Sequence, residues 1–175
     1  MIYEPSDDSF LLAKYVKKYA RGKVLDMGTG SGIQAEVAME NKNVKDVLAV
    51  DINPEVVEFV KKKGIKAKIS NLFSNIEEKF DTIIFNPPYL PLEKGEDKET
   101  SINVCGGKIG NELIKKFLKK AKKHLKKNGI IIIVFSSLSG NIQKLFEKYG
   151  FDAELLEEKK LFFEKIFVYK LQQKI

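Results

Sequence analysis

The sequence predicts a doubly wound α/β fold: a seven-stranded sheet, parallel except for its last strand, with helices on both faces. Short apolar runs rich in β-branched residues alternate with amphipathic segments of helical period. Several runs are apolar at successive positions, which is typical of parallel strands covered on both faces. Only a short turn separates the last two runs. We therefore expect them to pair antiparallel, because a parallel pair needs a crossover.

Seven strands follow from these apolar runs. The first, "KVLDMG", ends in an acid and a glycine, and the fourth, "FDTIIF", stops at Asn86. The third, "IKAKIS", alternates apolar residues with lysines from Ile65 to Ser70. In chain order, the predicted strands span residues 23–28, 46–51, 66–70, 80–85, 129–136, 152–159 and 161–171.

The predicted helices carry start and stop signals. Ser6 is the predicted N-cap of the first helix, and aspartates in its first turn suit the helix dipole. A later helix begins with Asn53 as its cap and Pro54 at its first position, and Gly64 stops it. The longest predicted helix, residues 111–127, has an apolar stripe at helical spacing and a lysine-rich opposite face, which we expect to be solvated.

The length and composition indicate an ordinary globular chain. A length of 175 residues suggests a single domain, residues 1–175. The N-terminus lacks the apolar segment of a signal peptide, and no apolar run is long enough to span a bilayer, so we expect a cytoplasmic protein with no membrane contact. The net charge of +7 can indicate a nucleic-acid partner. The lysines are interleaved with glutamates over the whole chain, however, which favours the composition of a hyperthermophile protein.

The loop after the first strand, within "VLDMGTGSG", is predicted to bind a cofactor. Gly28, Gly30 and Gly32 let the backbone turn tightly and approach a ligand, but their spacing differs from the dinucleotide fingerprint G-x-G-x-x-G. Asp26 would repel a pyrophosphate and could accept from an ammonium group. Asp51, at the end of the second strand, is positioned to bind ribose hydroxyls. A ligand with a ribose, an amine and no phosphate is S-adenosylmethionine.

The segment "NPPY" follows the fourth strand, where doubly wound sheets place their ligands. Its prolines fix the backbone, so Asn86 and Tyr89 are held rigidly. The Asn86 side-chain oxygen and the Pro87 carbonyl can each accept one N–H of a planar amine and so aim its lone pair at a methyl donor. Tyr89 can stack on the planar group and on a sulfonium. The pattern predicts catalysis by these three residues without a metal, and it fits a glutamine amide and an adenine amino group equally.

Four stretches together resemble the HemK-like class I methyltransferases that methylate a glutamine side chain: "YEPSDDSFLL", "VLDMGTGSG", "FNPPYLP" and "GGKIGNELI". Within this group, the chain most resembles the eukaryotic and archaeal branch, the release-factor glutamine N5-methyltransferases. The resemblance implies a Rossmann-like methyltransferase sheet. It also implies cofactor contacts from Ser9, Ile52, Asn71, Leu72 and Asn86. Similar enzymes usually have Asp in place of Asn71. The side-chain carbonyl oxygen of Asn71 can still accept a hydrogen bond from the adenine amino group.

The resemblance also implies partners. The substrate would be a class I release factor, methylated at the glutamine of its Gly-Gly-Gln motif. A small activator protein would pair with the edge strand from Ile65 to Ser70, since an unpaired edge is a template for strand addition. The alternative is an adenine-N6 methyltransferase acting on RNA or DNA, which the charge and the lysine face favour, although the loop after Tyr89 is acidic. A third class, a module that binds the cofactor without chemistry, stays open.

Overall fold

The computed structural model describes residues 4–88 and 111–175. Seven strands form one sheet: β1 (Gly22–Met27), β2 (Val44–Asp51), β3 (Ala67–Ile69), β4 (Phe80–Phe85), β5 (Leu125–Ser136), β6 (Phe151–Lys160) and β7 (Lys165–Gln173). The described α-helices are α1 (Asp7–Tyr19), α2 (Ile33–Met39), α3 (Pro54–Lys62), α4 (Glu112–Ala121) and α5 (Ile142–Lys148). Short 3-10 turns follow α4 (Lys122–His124) and β5 (Ser137–Ser139).

The strand order confirms the predicted doubly wound sheet. The order is β3-β2-β1-β4-β5-β7-β6, so the chain starts in the middle of the sheet and winds outward in both directions. The pairs among β1 to β5 are parallel, whereas β7 runs antiparallel to both β5 and β6. The antiparallel last strand and the edge position of β3 were both predicted from the sequence, and both are confirmed.

Each face of the sheet carries its own apolar layer. Successive residues of a strand point to opposite faces, so Val24 packs in one layer and Leu25 in the other. The first layer joins α1, α2 and α3 to the sheet, with Leu12, Val16, Ala35 and Val60 among its buried residues. The second layer joins α4 and α5 to the sheet, with Ile114, Phe117, Phe146 and Phe85 among its buried residues. Within the described residues, no helix is both long and apolar enough to cross a membrane.

Two helix starts show how local sequence sets the elements around the site. At α3 the Asn53 side chain accepts from the Glu55 N–H at 2.9 Å, as predicted for an N-cap. Ser6 does occupy the N-cap position of α1, but its hydroxyl makes no capping hydrogen bond to the helix. It donates instead to the Asp8 carboxylate at 2.6 Å.

The predicted long helix, residues 111–127, is wrong at its C-terminal end. The helix α4 ends at Ala121, and β5 begins at Leu125. Leu125 is buried and pairs with Phe80 of the neighbouring strand, so tertiary packing draws it into the sheet against its helical pattern. The predicted apolar stripe of α4 is buried from Ile114 to Ala121, whereas Leu113 is half-buried, and the lysines at 116, 119 and 120 are exposed.

Candidate active site

Three adjacent strands bring the predicted site residues to one edge of the sheet. Met27, the last residue of β1, pairs with Val50 on one side and with Phe85 on the other. The glycine loop, Asp51 and Asn86 come directly after these three positions, at the carboxyl ends of parallel strands. This is the edge at which doubly wound sheets bind their ligands.

The glycine loop is a left-handed turn over this edge. Gly28 has φ +66° and Gly32 has φ +84°, a region that residues with a side chain rarely adopt. Among the described residues, a Cβ on Gly28 would meet no atom within 4 Å, whereas a Cβ on Gly32 would lie 3.3 Å from Val60 Cγ2. Gly28 therefore faces open space in which a ligand could lie, and Gly32 lets α2 pack closely against α3.

Asp26 lies buried beneath this loop and braces it. Its Oδ2 accepts from the Thr29 hydroxyl at 2.6 Å. Burial raises the pKa of the Asp26 carboxyl to about 7, although the Thr29 hydroxyl and the Ala35 N–H lower it; the nearby Asp51 carboxylate raises it further. The contact predicted between Asp26 and a cofactor ammonium stays a prediction.

Asp51 and Ile52 form the wall beside the loop. The Asp51 carboxylate accepts from the Gly30 N–H at 3.1 Å and from the Asn53 N–H at 3.0 Å. A carboxylate has about four lone-pair positions, so two remain for hydroxyl donors. The next residue, Ile52, is 56% exposed and offers an apolar surface at the same place. The ribose contact predicted for Asp51 and the cofactor contact implied for Ile52 stay predictions.

Asn71 and Leu72 follow the edge strand β3 in a tight turn. The Asn71 N–H donates to Ser74 Oγ at 3.1 Å, and the Leu72 carbonyl accepts from the Ser70 hydroxyl at 2.6 Å. Leu72 has φ +50°, which is unusual for a residue with a side chain and is held by this network. Asn71 is exposed. The adenine contacts implied for both residues stay predictions.

Asn86 is fixed by the first turn of α1. Its Nδ2 donates to Ser9 Oγ at 3.3 Å, and the Ser9 hydroxyl donates to Asp8 Oδ1 at 3.2 Å. Because the Ser9 proton is directed to Asp8, the Ser9 oxygen acts as the acceptor for Asn86. The Ser9 carbonyl accepts from Gln34 Nε2 at 2.8 Å, which ties this turn to α2. The Asn86 amide oxygen is consequently turned away from Ser9 and can accept from a substrate N–H.

The sequence reasoning placed Ser9 in the cofactor site but missed Asp8 and Gln34 as its supports. Asp8 lies within the quoted "SDDSF" stretch, so a signal for it was present, whereas nothing in the sequence singled out Gln34. Pro87 is buried directly after Asn86, and Tyr89 lies outside the described residues. Among residues 4–88 and 111–175, no group of three or more His, Cys, Asp or Glu side chains could hold a metal.

Residues 6–163 match the methyltransferase small domain family. The chain belongs to this family. A Methanocaldococcus jannaschii protein whose name proposes protein N5-glutamine methyltransferase activity is 37% identical, over 95% of this chain and 89% of its own length. Release factor glutamine methyltransferases of Koribacter versatilis and Aquifex aeolicus are 36% and 30% identical, over 62% and 76% of this chain. This methyltransferase spans only 44% and 53% of the length of those two enzymes.

Solved structures give the same fold. A chain of the E. cuniculi Mtq2–Trm112 complex, described as responsible for methylation of the eRF1 translation termination factor, is 23% identical. It superposes with a TM-score of 0.79 over 99% of both chains. A methyltransferase from Bacteroides fragilis in complex with S-adenosyl-L-homocysteine is 24% identical, with a TM-score of 0.67 over 94% of this chain and 77% of its own. The predicted Rossmann-like sheet and the predicted class, a methyltransferase, are confirmed.

Proposed function

We propose that this methyltransferase transfers a methyl group from S-adenosylmethionine to the side-chain amide nitrogen of a glutamine in a class I translation release factor. The observation that carries the proposal is the fixed orientation of Asn86. Its amide nitrogen is engaged with Ser9 at 3.3 Å, beside the glycine loop, so its oxygen is left to accept from a substrate N–H. The names of the M. jannaschii relative and of the two release factor enzymes support glutamine as the acceptor.

Asn86 and Pro87 would act by positioning. When bound, S-adenosylmethionine supplies an electrophilic methyl group on a positively charged sulfur. The Asn86 oxygen accepts one N–H of the glutamine amide and the Pro87 carbonyl accepts the other. The nitrogen lone pair, otherwise delocalised, is then aimed at the methyl carbon. On transfer, a C–N bond would form as the S–C bond breaks, S-adenosylhomocysteine would be the leaving group, and the nitrogen would release one proton to solvent. Such positioning is worth roughly 7–11 kcal/mol in favourable cases.

The cofactor would be held by the walls of the same edge. The backbone at Gly28 faces open space among the described residues, and the carboxylate of Asp51 has lone pairs left for ribose hydroxyls. Ile52 supplies an apolar surface for adenine, and Asn71 can accept from the adenine amino group. Tyr89 completes the predicted catalytic set by stacking on the substrate amide.

The edge strand β3 is proposed to bind a small activator protein by strand addition. Among the described strands it pairs with β2 alone, over three residues from Ala67 to Ile69, and Ile69 is 47% exposed. The Mtq2 chain is found in complex with Trm112, which supports a partner of this kind. We expect Ile69→Lys to abolish binding of the activator from the same organism in a calorimetric titration. Leu155→Lys on the opposite edge strand is the matched control, and unchanged binding by Ile69→Lys would refute the proposal.

The function is tested by methyl transfer from labelled S-adenosylmethionine, with and without the activator. The purified enzyme is offered either the release factor from the same organism or total RNA. We expect label on the release factor, lost when the glutamine of its Gly-Gly-Gln motif is replaced and when the enzyme carries Asn86→Ala. Label on RNA instead would establish the alternative, an adenine methyltransferase, and the exposed lysines of α4 would then be a phosphate-binding face.

A further inference from the structure

Two adjacent phenylalanines are exposed at the turn between β6 and β7. Phe162 is 93% exposed and Phe163 is 86% exposed, and their rings contact each other edge to face with centroids 5.1 Å apart. Neither ring belongs to the buried clusters on the two faces of the sheet. Two neighbouring aromatic side chains left in water form an apolar patch of the kind that marks an interaction site.

The turn that presents the two rings is braced on both sides. The Leu161 N–H donates to the Glu164 carbonyl at 2.8 Å and closes the turn. The Lys165 N–H donates to Ser137 Oγ at 3.0 Å, and the Lys165 side chain pairs with Glu158 at 2.9 Å. The rings are therefore held by a fixed backbone, which lowers the entropy lost when a partner binds.

The turn lies at the same edge of the sheet as Asn86. Since β7 is antiparallel and Ile166 pairs with Ser136 at the end of β5, the turn projects beyond the carboxyl edge of the parallel strands. The first turn of α1 also contacts both the hairpin and Asn86. Asp7 pairs with Lys159 of the hairpin at 2.9 Å, and Ser9, two residues on, contacts Asn86 at 3.3 Å. Two residues of a helix are about 3 Å apart along its axis.

The charges around the turn favour a protein as the occupant. Beside the turn the positive and negative charges balance: Lys159 pairs with Asp7 and Lys165 pairs with Glu158, each at 2.9 Å, and Lys160 and Glu164 add one charge of each sign. A nucleic-acid or lipid surface needs an excess of positive charge. An apolar protein segment needs only exposed apolar area.

We propose that Phe162 and Phe163 dock an apolar segment of the protein substrate that flanks the methylated glutamine; this rests on the proposed function. Every substrate must approach the carboxyl edge to reach Asn86, and the pair stands beside that approach. The docking gives the enzyme contacts with the folded substrate beyond the amide itself, so it acts on substrate affinity and leaves the chemistry at Asn86 unchanged.

The test compares Phe162→Ala/Phe163→Ala with Leu155→Ala, which removes an exposed apolar side chain from β6 of the same hairpin. Steady-state methyl transfer is measured with the intact release factor and with a tripeptide, Gly-Gly-Gln, that is too short to reach the turn. We expect the double variant to raise KM for the intact protein at least about tenfold, as loss of an interface anchor does. Its kcat, its activity on the tripeptide and its thermal unfolding should stay unchanged, and so should Leu155→Ala in every respect.

Each other outcome overturns the docking role. If the wild-type enzyme labels the release factor and the double variant keeps its KM, the docking inference fails and the proposed function stands. Equal losses on the protein and the tripeptide would mean that the rings support the catalytic centre. Loss of sedimentation with phosphatidylcholine–phosphatidylserine vesicles, with KM unchanged, would mean that the pair meets a lipid surface. If the wild-type enzyme labels no release factor, the proposed function and this inference fail together.

Discussion

Replacing Asp26 by asparagine should remove a pH-dependent loss of stability that arises beneath the cofactor loop. Burial raises the pKa of Asp26 from 3.8 to about 7, so the folded state holds the proton more tightly than the unfolded state. The stability from this group is therefore fully present below pH 3.8 and is lost as the pH rises through 7. A difference of about 3 in pKa corresponds to about 4 kcal/mol in the free energy of unfolding.

The assay is urea unfolding of both proteins between pH 4 and pH 8. Because an asparagine side chain does not titrate, we expect the free energy of unfolding of Asp26→Asn minus that of the wild type to grow with pH, by up to about 4 kcal/mol. The carboxyls of Glu78, Asp81 and Glu157, whose pKa values are lowered, are common to both proteins and cancel in the difference.

A second variant tests the local cause. The Thr29 hydroxyl lowers the pKa of Asp26, so Thr29→Val should raise that pKa and move the loss of stability to higher pH. Unfolding free energies of the wild type and Asp26→Asn that stay parallel across the whole pH range would refute the reasoning, because burial would then not perturb Asp26. A Thr29→Val curve that keeps the wild-type pH dependence would refute the role of the hydroxyl.

Three further outcomes follow from the site. Ser9→Ala removes the acceptor of the Asn86 amide and should lower kcat about 2- to 10-fold. An unchanged kcat in steady-state methyl transfer would show that Ser9 does not position Asn86. Ile52→Ala should weaken cofactor binding about 5- to 30-fold in a calorimetric titration, because it removes the apolar surface proposed for adenine. The unfolding midpoint should not change, since the side chain is exposed. Unchanged binding would show that Ile52 is not part of the adenine site. In urea unfolding, Gly32→Ala should lower the free energy of unfolding more than Gly64→Ala does. Both glycines have φ above +80°, but of the two only Gly32 has a described neighbour at 3.3 Å. Equal losses of unfolding free energy would show that this contact has no effect.

The fold was largely predictable because its signals are local. The strand of residues 80–85 has the predicted bounds in the structure, since an apolar run ends at a residue that proline forces out of the sheet. The end of the predicted long helix was not predictable in this way. Leu125 fits the helical stripe equally well, and only its pairing with Phe80 draws it into β5.

The candidate site likewise contains some residues that the sequence could predict and others that it could not. Gly28, Asp51 and Asn86 stand at strand ends, and the rule that carboxyl ends of parallel strands share an edge brings them together from the sequence alone. Gln34 gave no signal, because its role depends on α1 packing against α2. The exposure of Phe162 and Phe163 was also hidden, since apolar residues in a sequence do not reveal whether anything covers them.

The sequence by itself determined the elements of this methyltransferase, the order in which they follow, the glycine loop and the residues available for methyl transfer, because those depend on periodicity, proline and glycine within a few neighbours. Only the tertiary structure decided how they act together. It buried Asp26 and raised its pKa, it set Ser9 against Asn86 so that the amide nitrogen faces α1, and it placed two exposed phenylalanines at the carboxyl edge of the sheet. Burial, exposure and the contact between Ser9 and Asn86 all depend on how segments far apart in the chain pack, and chain neighbours do not specify that packing.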